Sequence, residues 1–329
     1  MKILMIGGTG LISTAVVEES IKRGYDIYLL NRGQRPLSFS KPVKQIMEDI
    51  NDEQAVNQAL EGQTFDVVAQ FISFTLDHVK RDYRLFRDKT DQCIFISSAS
   101  AYQKPLPKHP ITEDIPLDNK YWTYSQNKKY CESYLLNLND EDFHVTIIRP
   151  SHTYNDHSLI FQLKSSNHPY TLIDRMFKGL PIILPDQGES KWTLTYNKDF
   201  AKAFVDVFGN KKTYNDYFHL TSDKVYTWNQ ITYAIYKVLD VKPNIIYIPT
   251  EEILKHFPEF EGELYGDKYA DAIFDNTKIK SVAPNYTSVT EYPDIVSKAI
   301  KYYQQTPSAQ TIDHEFINRY EQLIKVYKG

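Results

Sequence analysis

Short apolar runs alternate with stretches in which apolar positions recur every three or four residues through the first half of the chain. Residues 2–6 form an apolar run that ends in glycines. Residues 12–23 then read as a helix, with Ile12, Ala15, Val16 and Ile21 interleaved with Glu18, Glu19 and Lys22. Gly24 after Lys22-Arg23 is good helix-ending chemistry: cations at the negative end of the dipole, then a residue free to turn left-handed. Strand-like runs follow at 26–31, 43–47, 66–72, 93–97 and 144–149, each with a helix-compatible stretch before the next. Val67-Val68-Ala69 and Cys93-Ile94-Phe95-Ile96 are apolar on both faces, as strands covered by helices on both sides must be. The pattern predicts an α/β fold, a Rossmann-type doubly wound parallel sheet.

After Pro150 the pattern loosens. Residues 153–192 read as irregular, with Pro169, Gly179-Leu180-Pro181, Pro185 and Gly188. A helix is predicted over 197–208 and a strand over 217–221 that returns to the main sheet. Thr227 caps a further helix with Trp228, Ile231, Ile235, Val238 and Leu239 on one face, and a strand follows at 244–248. The predicted division is a dinucleotide-binding domain of residues 1–152 and about 193–221. A smaller α/β substrate-binding domain takes about 153–192 and 222–329.

Composition narrows the function classes. A chain of 329 residues is long for one core, which fits two domains. A net charge of −4 gives no electrostatic reason to expect nucleic acid or an anionic membrane as the main ligand. The apolar runs are too short to span a membrane, and the N-terminal one is too short for a signal peptide. Cys93 and Cys131 both lie in predicted regular elements and read as buried, reduced thiols of a cytoplasmic protein. The 9 histidines show no metal-ligand spacing, so no metal site is expected.

Gly7-Gly8-Thr9-Gly10-Leu11-Ile12-Ser13 follows the first strand and opens the first helix. Gly7 permits the tight turn, and Gly10 removes a Cβ where a pyrophosphate approaches. The helix N-terminus offers free N–H groups at the positive dipole end. Serine stands at the third glycine position of the motif, small enough to fit at some cost in closeness. The second strand ends in Asn31-Arg32, where proteins that prefer NAD place an acid for the ribose hydroxyl. Arg32 can meet a 2′-phosphate instead, which favours NADP over NAD as cofactor; otherwise it is a solvated loop residue beside Arg35. Asp49-Ile50 after the third strand can meet the adenine amino group, or simply cap a helix.

Tyr124 and Lys128 are four residues apart on one face of a predicted helix that runs through Tyr134. A phenol is a poor base at neutral pH, and a nearby ammonium favours its ionised form. Such a pair suits proton exchange with a substrate hydroxyl while hydride leaves or joins the same carbon. Upstream, Ser97-Ser98-Ala99-Ser100-Ala101-Tyr102 ends the fifth strand at the carboxyl edge of the sheet, where ligands bind in open α/β folds.

These motifs, with Arg149-Pro150-Ser151-His152-Thr153-Tyr154, stand in the order and spacing of extended short-chain dehydrogenases/reductases. The chain resembles the NAD-dependent epimerase/dehydratase group of that family over essentially its whole length, most closely over 1–154. The resemblance implies Ser98, Tyr124 and Lys128 as the catalytic set. It also implies Phe71-Ile72 beside the cofactor, and Pro150 to His152 beside the nicotinamide. By the same resemblance the enzyme is an NAD(P)-dependent oxidoreductase or epimerase acting on a secondary alcohol or ketone, plausibly of a sugar or nucleotide-sugar. Relatives pair as homodimers through the Tyr–Lys helix, so Tyr130 and Tyr134 are expected on an exposed face.

Two departures qualify it. Ile72-Ser73 replaces small residues, which narrows the cofactor pocket. Ala99-Ser100 replaces the Asp-Glu pair of sugar-nucleotide dehydratases, so water elimination by that route is set aside. Asn31-Arg32-Gly33 and the Arg149–Tyr154 run also resemble chloroplast stem-loop RNA-binding proteins. The alternative reading is thus a non-catalytic nucleotide sensor or RNA-binding protein, against which the mild acidity and the intact Ser98–Tyr124–Lys128 set argue. His152 either touches substrate or is polar filler; Trp192 either touches a nucleotide-sugar or plugs the domain junction.

Overall fold

The computed structural model describes residues 1–328. Seven strands form one sheet in which every pair is parallel: β1 (Lys2–Ile6), β2 (Asp26–Asn31), β3 (Lys44–Met47), β4 (Phe65–Gln70), β5 (Thr90–Ile96), β6 (His144–Pro150) and a late strand, Asp216–Leu220. From one edge the order is β3-β2-β1-β4-β5-β6, with Asp216–Leu220 outside β6. The chain therefore reverses direction across the sheet between β1 and β4, and ligands of such folds bind at that switch point. This is the doubly wound Rossmann-type sheet that the periodicity predicts.

Helices α1 (Leu11–Lys22), α2 (Glu53–Ala59), α3 (Leu76–Phe86) and α4 (Thr123–Leu136) connect these strands. On one face, Val16 of α1 packs with Phe200 and Phe204 of a later helix and with Ile279 and Ala283 from near the C-terminus. On the other face, Val56, Phe86, Cys131 and Leu135 cover the sheet. Cys93 and Cys131 are free and buried, and burial pushes the Cys131 thiol up to about 11, which makes it a poor nucleophile.

The second lobe is more regular than its sequence. Within 153–192 stand most of β7 (His152–Tyr154), then α5 (Tyr170–Phe177), β8 (Ile182–Pro185) and the start of β9 (Lys191–Tyr196). The expectation of an irregular segment is corrected here. Each element is only three to eight residues long and sits between turn formers such as Pro169 and Gly179, so no period develops in the sequence. Next come α6 (Asn197–Asp206), the late strand β10 (Asp216–Leu220), β11 (Val225–Thr227), α7 (Trp228–Leu239) and β12 (Ile245–Ile248). Strands β11-β9-β7 make a small sheet, and β12-β8 a second. Thr227 caps α7 as its sequence predicts, in a reciprocal box with Gln230. A third core, with Trp192, Trp228, Tyr292 and Tyr320 all buried, lies under this lobe. Among the described residues no helix is long and apolar enough to cross a membrane.

Candidate active site

The first strand delivers its glycines to a cavity of about 570 Å³ at the carboxyl edge of the sheet. Gly7 and Gly8 have φ of +106° and +81°, which side chains resist, and a Cβ on Gly8 would also press Leu29 at 2.7 Å. Gly10 is different. Its backbone is extended, and a Cβ there would meet only Ser13 Oγ at 3.4 Å, so the space its missing side chain leaves is open to the cavity. Ser13 also has its own role, because its Oγ accepts the Gly10 N–H at 2.9 Å and caps α1. The serine in place of a third glycine thus adds a hydrogen bond.

Leu11, Ile12, Asn31, Arg32, Asp49 and Ile50 line the same cavity, as do Phe71 and Ile72. Asn31 does not face it as a free group. Its Oδ1 accepts from Gly33 N at 2.9 Å and Gln45 Nε2 at 2.8 Å, and its Nδ2 donates to Gly7 O at 3.3 Å, so it stitches the turn. Arg32 is exposed on the rim beside Arg35. Asp49 Oδ1 accepts from Asn51 N and Nδ2, at 2.9 and 3.0 Å. Arg81 and His78 of α3, which the sequence did not single out, close the far wall.

A second cavity of about 240 Å³ lies beyond β5 and holds Ser98, Tyr124, Pro150 and His152 together. Ser98 caps a single turn, Ala99–Ala101, by accepting the Ser100 N–H. Ser98 Oγ lies 2.8 Å from Ser100 Oγ, which lies 2.8 Å from Ser125 Oγ, a relay of hydroxyls leading away from the site. Burial raises the Tyr124 phenol above its ordinary value, and a hydrogen bond from Ser98 opposes the rise. Burial also drives His152 well below its usual imidazole range, so it is neutral at pH 7, its ring tilted against that of Trp192 at 4.7 Å. Trp192 in turn lies 4.6 Å from Trp228 and is buried, which makes it part of the second lobe's core.

Lys128 lines neither cavity wall. Its ammonium donates to Ser73 O at 2.8 Å and Ile96 O at 2.7 Å, one donor of three remaining, among the rings of Phe95, Phe74 and Tyr124 at 4.6, 4.9 and 5.7 Å. Burial lowers it to about 8. Ionisation of the phenol is therefore opposed by burial on both members of the pair, where spacing alone favoured it.

Two buried networks hold this geometry. Asp82 accepts from Ser73 Oγ, from Gln70 Nε2 at 3.0 Å and from Arg81 at 2.7 and 3.0 Å, while Arg81 Nη1 reaches Asn51 Oδ1 at 2.6 Å. This chain links the wall of the larger cavity to the carbonyl that receives Lys128. One turn beyond Lys128, Glu132 accepts from Arg149 at 2.6, 3.0 and 3.1 Å and from Ser97 Oγ, which ties α4 to the ends of β5 and β6. Arg149 Nη1 donates to Tyr102 OH at 3.1 Å, 3.0 Å from His219 Nδ1. Burial pushes His219 down to about 4, so the neutral ring accepts from Tyr102 and its Nε2 donates to Asp275 O at 2.7 Å. Removing one partner of such a pair costs about 3–5 kcal/mol.

Among the described residues no cluster of three or more His, Cys, Asp or Glu is arranged to hold a metal. The model of the NAD dependent epimerase/dehydratase family matches residues 3–91 and 83–218. A chloroplast stem-loop binding protein of 41 kDa from Arabidopsis thaliana is 27% identical over 76% of this chain and 67% of its own length. A UDP-glucose 4-epimerase from Lactobacillus helveticus is 32% identical over 40% of this chain and 45% of its own. Among solved structures, the UDP-glucose 4-epimerase of Bifidobacterium longum, in complex with NAD+ and UDP, superimposes with a TM-score of 0.74. That match has 17% identity and covers 94% of this chain and all of that one, a likeness of fold.

Proposed function

The chain belongs to the NAD dependent epimerase/dehydratase family, and we propose that it is a nicotinamide-dependent oxidoreductase or epimerase acting on a secondary alcohol or ketone of a sugar or nucleotide-sugar. One observation carries the reading. The glycine-edged cavity and the Ser98–Tyr124 cavity both reach the end of β5, with Ile96 in the wall of the first and Ser98, two residues on, in the wall of the second. The open face of Gly10 and the exposed amides of the α1 N-terminus fit a pyrophosphate. When bound, the dinucleotide supplies the hydride acceptor or donor.

The protein's own residues do the rest. Ser98 holds the substrate oxygen, and Tyr124 exchanges its proton. Lys128, through its third N–H, holds ribose and biases the phenol. Pro150 and His152 close the site beside the nicotinamide. Residues 1–152 with 193–221 carry the cofactor, and 153–192 with 222–329 the substrate. One solved neighbour is an epimerase in complex with NAD+; the exposed Arg32 and Arg35 on the rim, with no acid at Asn31, favour NADP in this chain. We further read the protein as a cytoplasmic homodimer.

Titration of the purified protein with NADPH and NADH, read by nicotinamide fluorescence, tests this. We expect saturable binding of both, tighter for NADPH, with the difference removed in an Arg32→Ala, Arg35→Ala double variant. Tyr124→Phe should bind as well as wild type yet lose turnover. Absence of binding by either dinucleotide would defeat the reading.

A further inference from the structure

The smaller cavity contains two charges that the catalytic reading does not use. Lys104 lies in the loop between the Ser98 turn and α4 and is only 7% exposed. Asp267 lies on a single π-helical turn, Leu264–Lys268. Both line the cavity that holds Ser98 and Tyr124. Among the described residues the Lys104 ammonium has no hydrogen bond, close ion pair or aromatic ring and the Asp267 carboxylate accepts no hydrogen bond, so each is balanced only at longer range, Lys104 by Asp267 and Asp267 by Lys104 and Lys268. An unpaired buried charge is costly and persists where something outside the chain completes it. π-turns also recur at functional sites.

The segments that carry the two charges are fixed by the surrounding chain. Asn119 Nδ2 donates to Ser100 O and to Gly266 O, both at 2.7 Å, which ties the π-turn to the serine turn. Ile111 N donates to Ile273 O at 2.7 Å and Asp275 N to Ile111 O at 2.9 Å, so the Lys104 loop is bonded to the strand-like segment after Asp267. Gly262 presses so closely on the Trp122 ring that no side chain would fit.

Resting on the oxidoreductase reading, we propose that Lys104 and Asp267 clamp a second hydroxyl of the substrate ring, so that the enzyme selects uncharged, polyhydroxylated rings. A hydroxyl both donates and accepts, so one group can give its proton to Asp267 and receive a bond from Lys104. A carboxylate at that place gains from Lys104 but is repelled by Asp267, and an ammonium the reverse, so either must also bear the cost of burying its own charge, which a neutral hydroxyl avoids. A cavity of about 240 Å³ holds one such ring beside Tyr124.

The test uses the full chain with NAD+ or NADP+, and ¹H NMR to follow conversion of D-glucose, D-galactose, D-mannose, myo-inositol, UDP-glucose, D-glucuronate and D-glucosamine. This readout registers oxidation and epimerisation alike. We expect an uncharged ring to be converted, and the glucuronate and glucosamine at least about 100-fold less well. Lys104→Met and Asp267→Asn should each lower kcat/KM about 10- to 100-fold with cofactor affinity unchanged. A charged ring as the best substrate, or wild-type turnover in either variant, would overturn the clamp and leave the oxidoreductase reading standing. No conversion of any probe by protein that binds cofactor would remove both.

Discussion

Burial lowers the Lys128 ammonium to about 8, so in the cofactor-free enzyme it is charged below that pH and neutral above it. Tyr124 is shifted the opposite way, upward, and stays protonated across the neutral range. The free enzyme is therefore poised to give a proton to a substrate carbonyl, with the ammonium available only on the acid side of pH 8. For the reductive direction we expect kcat/KM to be level up to about pH 8 and then to fall about tenfold per pH unit. A profile level to pH 9.5 would mean that the ammonium is not needed. The phenol, the lysine and the hydroxyl of Ser98 were legible as residues because each sits in a motif at fixed spacing. Their protonation was not, since it depends on how far the second lobe and the 71–75 loop withdraw them from water. Lys104 and Asp267 carried no signal at all: they stand 163 positions apart in segments without periodicity.

Elements position these residues as units. The α4 helix is pinned at Glu132 to Arg149 and Ser97, so Tyr124 and Lys128 move only if the ends of β5 and β6 move with them. Strands of the main sheet were read within a residue or two, save that β5 begins three residues earlier, at Thr90, because most have apolar faces and end in a turn signal. The π-turn was missed because its five residues, Leu264–Lys268, have no repeat to reveal them. Its neighbour Gly262 shows how tightly that turn is seated: a Cβ would lie 2.4 Å from Trp122 Cδ1, and the Trp122 ring is 5.1 Å from that of Tyr124. Gly262→Ala should then cost about 1–3 kcal/mol in stability, as overpacking does. It should also displace the indole, raising substrate KM while leaving dinucleotide affinity unchanged. Denaturant unfolding with tryptophan fluorescence, set beside a cofactor titration, measures both effects. Unaltered stability would show that the turn yields more easily than its packing implies.

At the scale of the whole molecule, three buried cores divide the chain in a way that sequence order hides. Ile279 and Ala283 lie near the C-terminus yet pack on the first face of the main sheet. Ala99, Tyr102 and Ile111 lie before α4 yet belong to the core of the second lobe. Such long-range exchange leaves no local mark, which is why periodicity reveals the sheet and only roughly the division. The outer surface of α4 is a different matter. Tyr130 is 54% exposed there, and Tyr121, just before the helix, 44%. Tyr134, expected beside them, is instead half-buried against the core, with Tyr83 and Phe143 in the same cluster. An exposed aromatic ring on the helix that carries Tyr124, with a second just before it, is the kind of anchor that interfaces use. A homodimer joined there would stiffen α4 from outside, as Glu132 does from inside. Sedimentation at micromolar concentration should then show a dimer, and Tyr130→Glu, which sets like charges against each other across a two-fold axis, should show a monomer that still binds dinucleotide. A wild-type monomer, or a dimer indifferent to Tyr130→Glu, would place the interface elsewhere or remove it, and the stiffness of α4 would then rest on Glu132 and Arg149 alone.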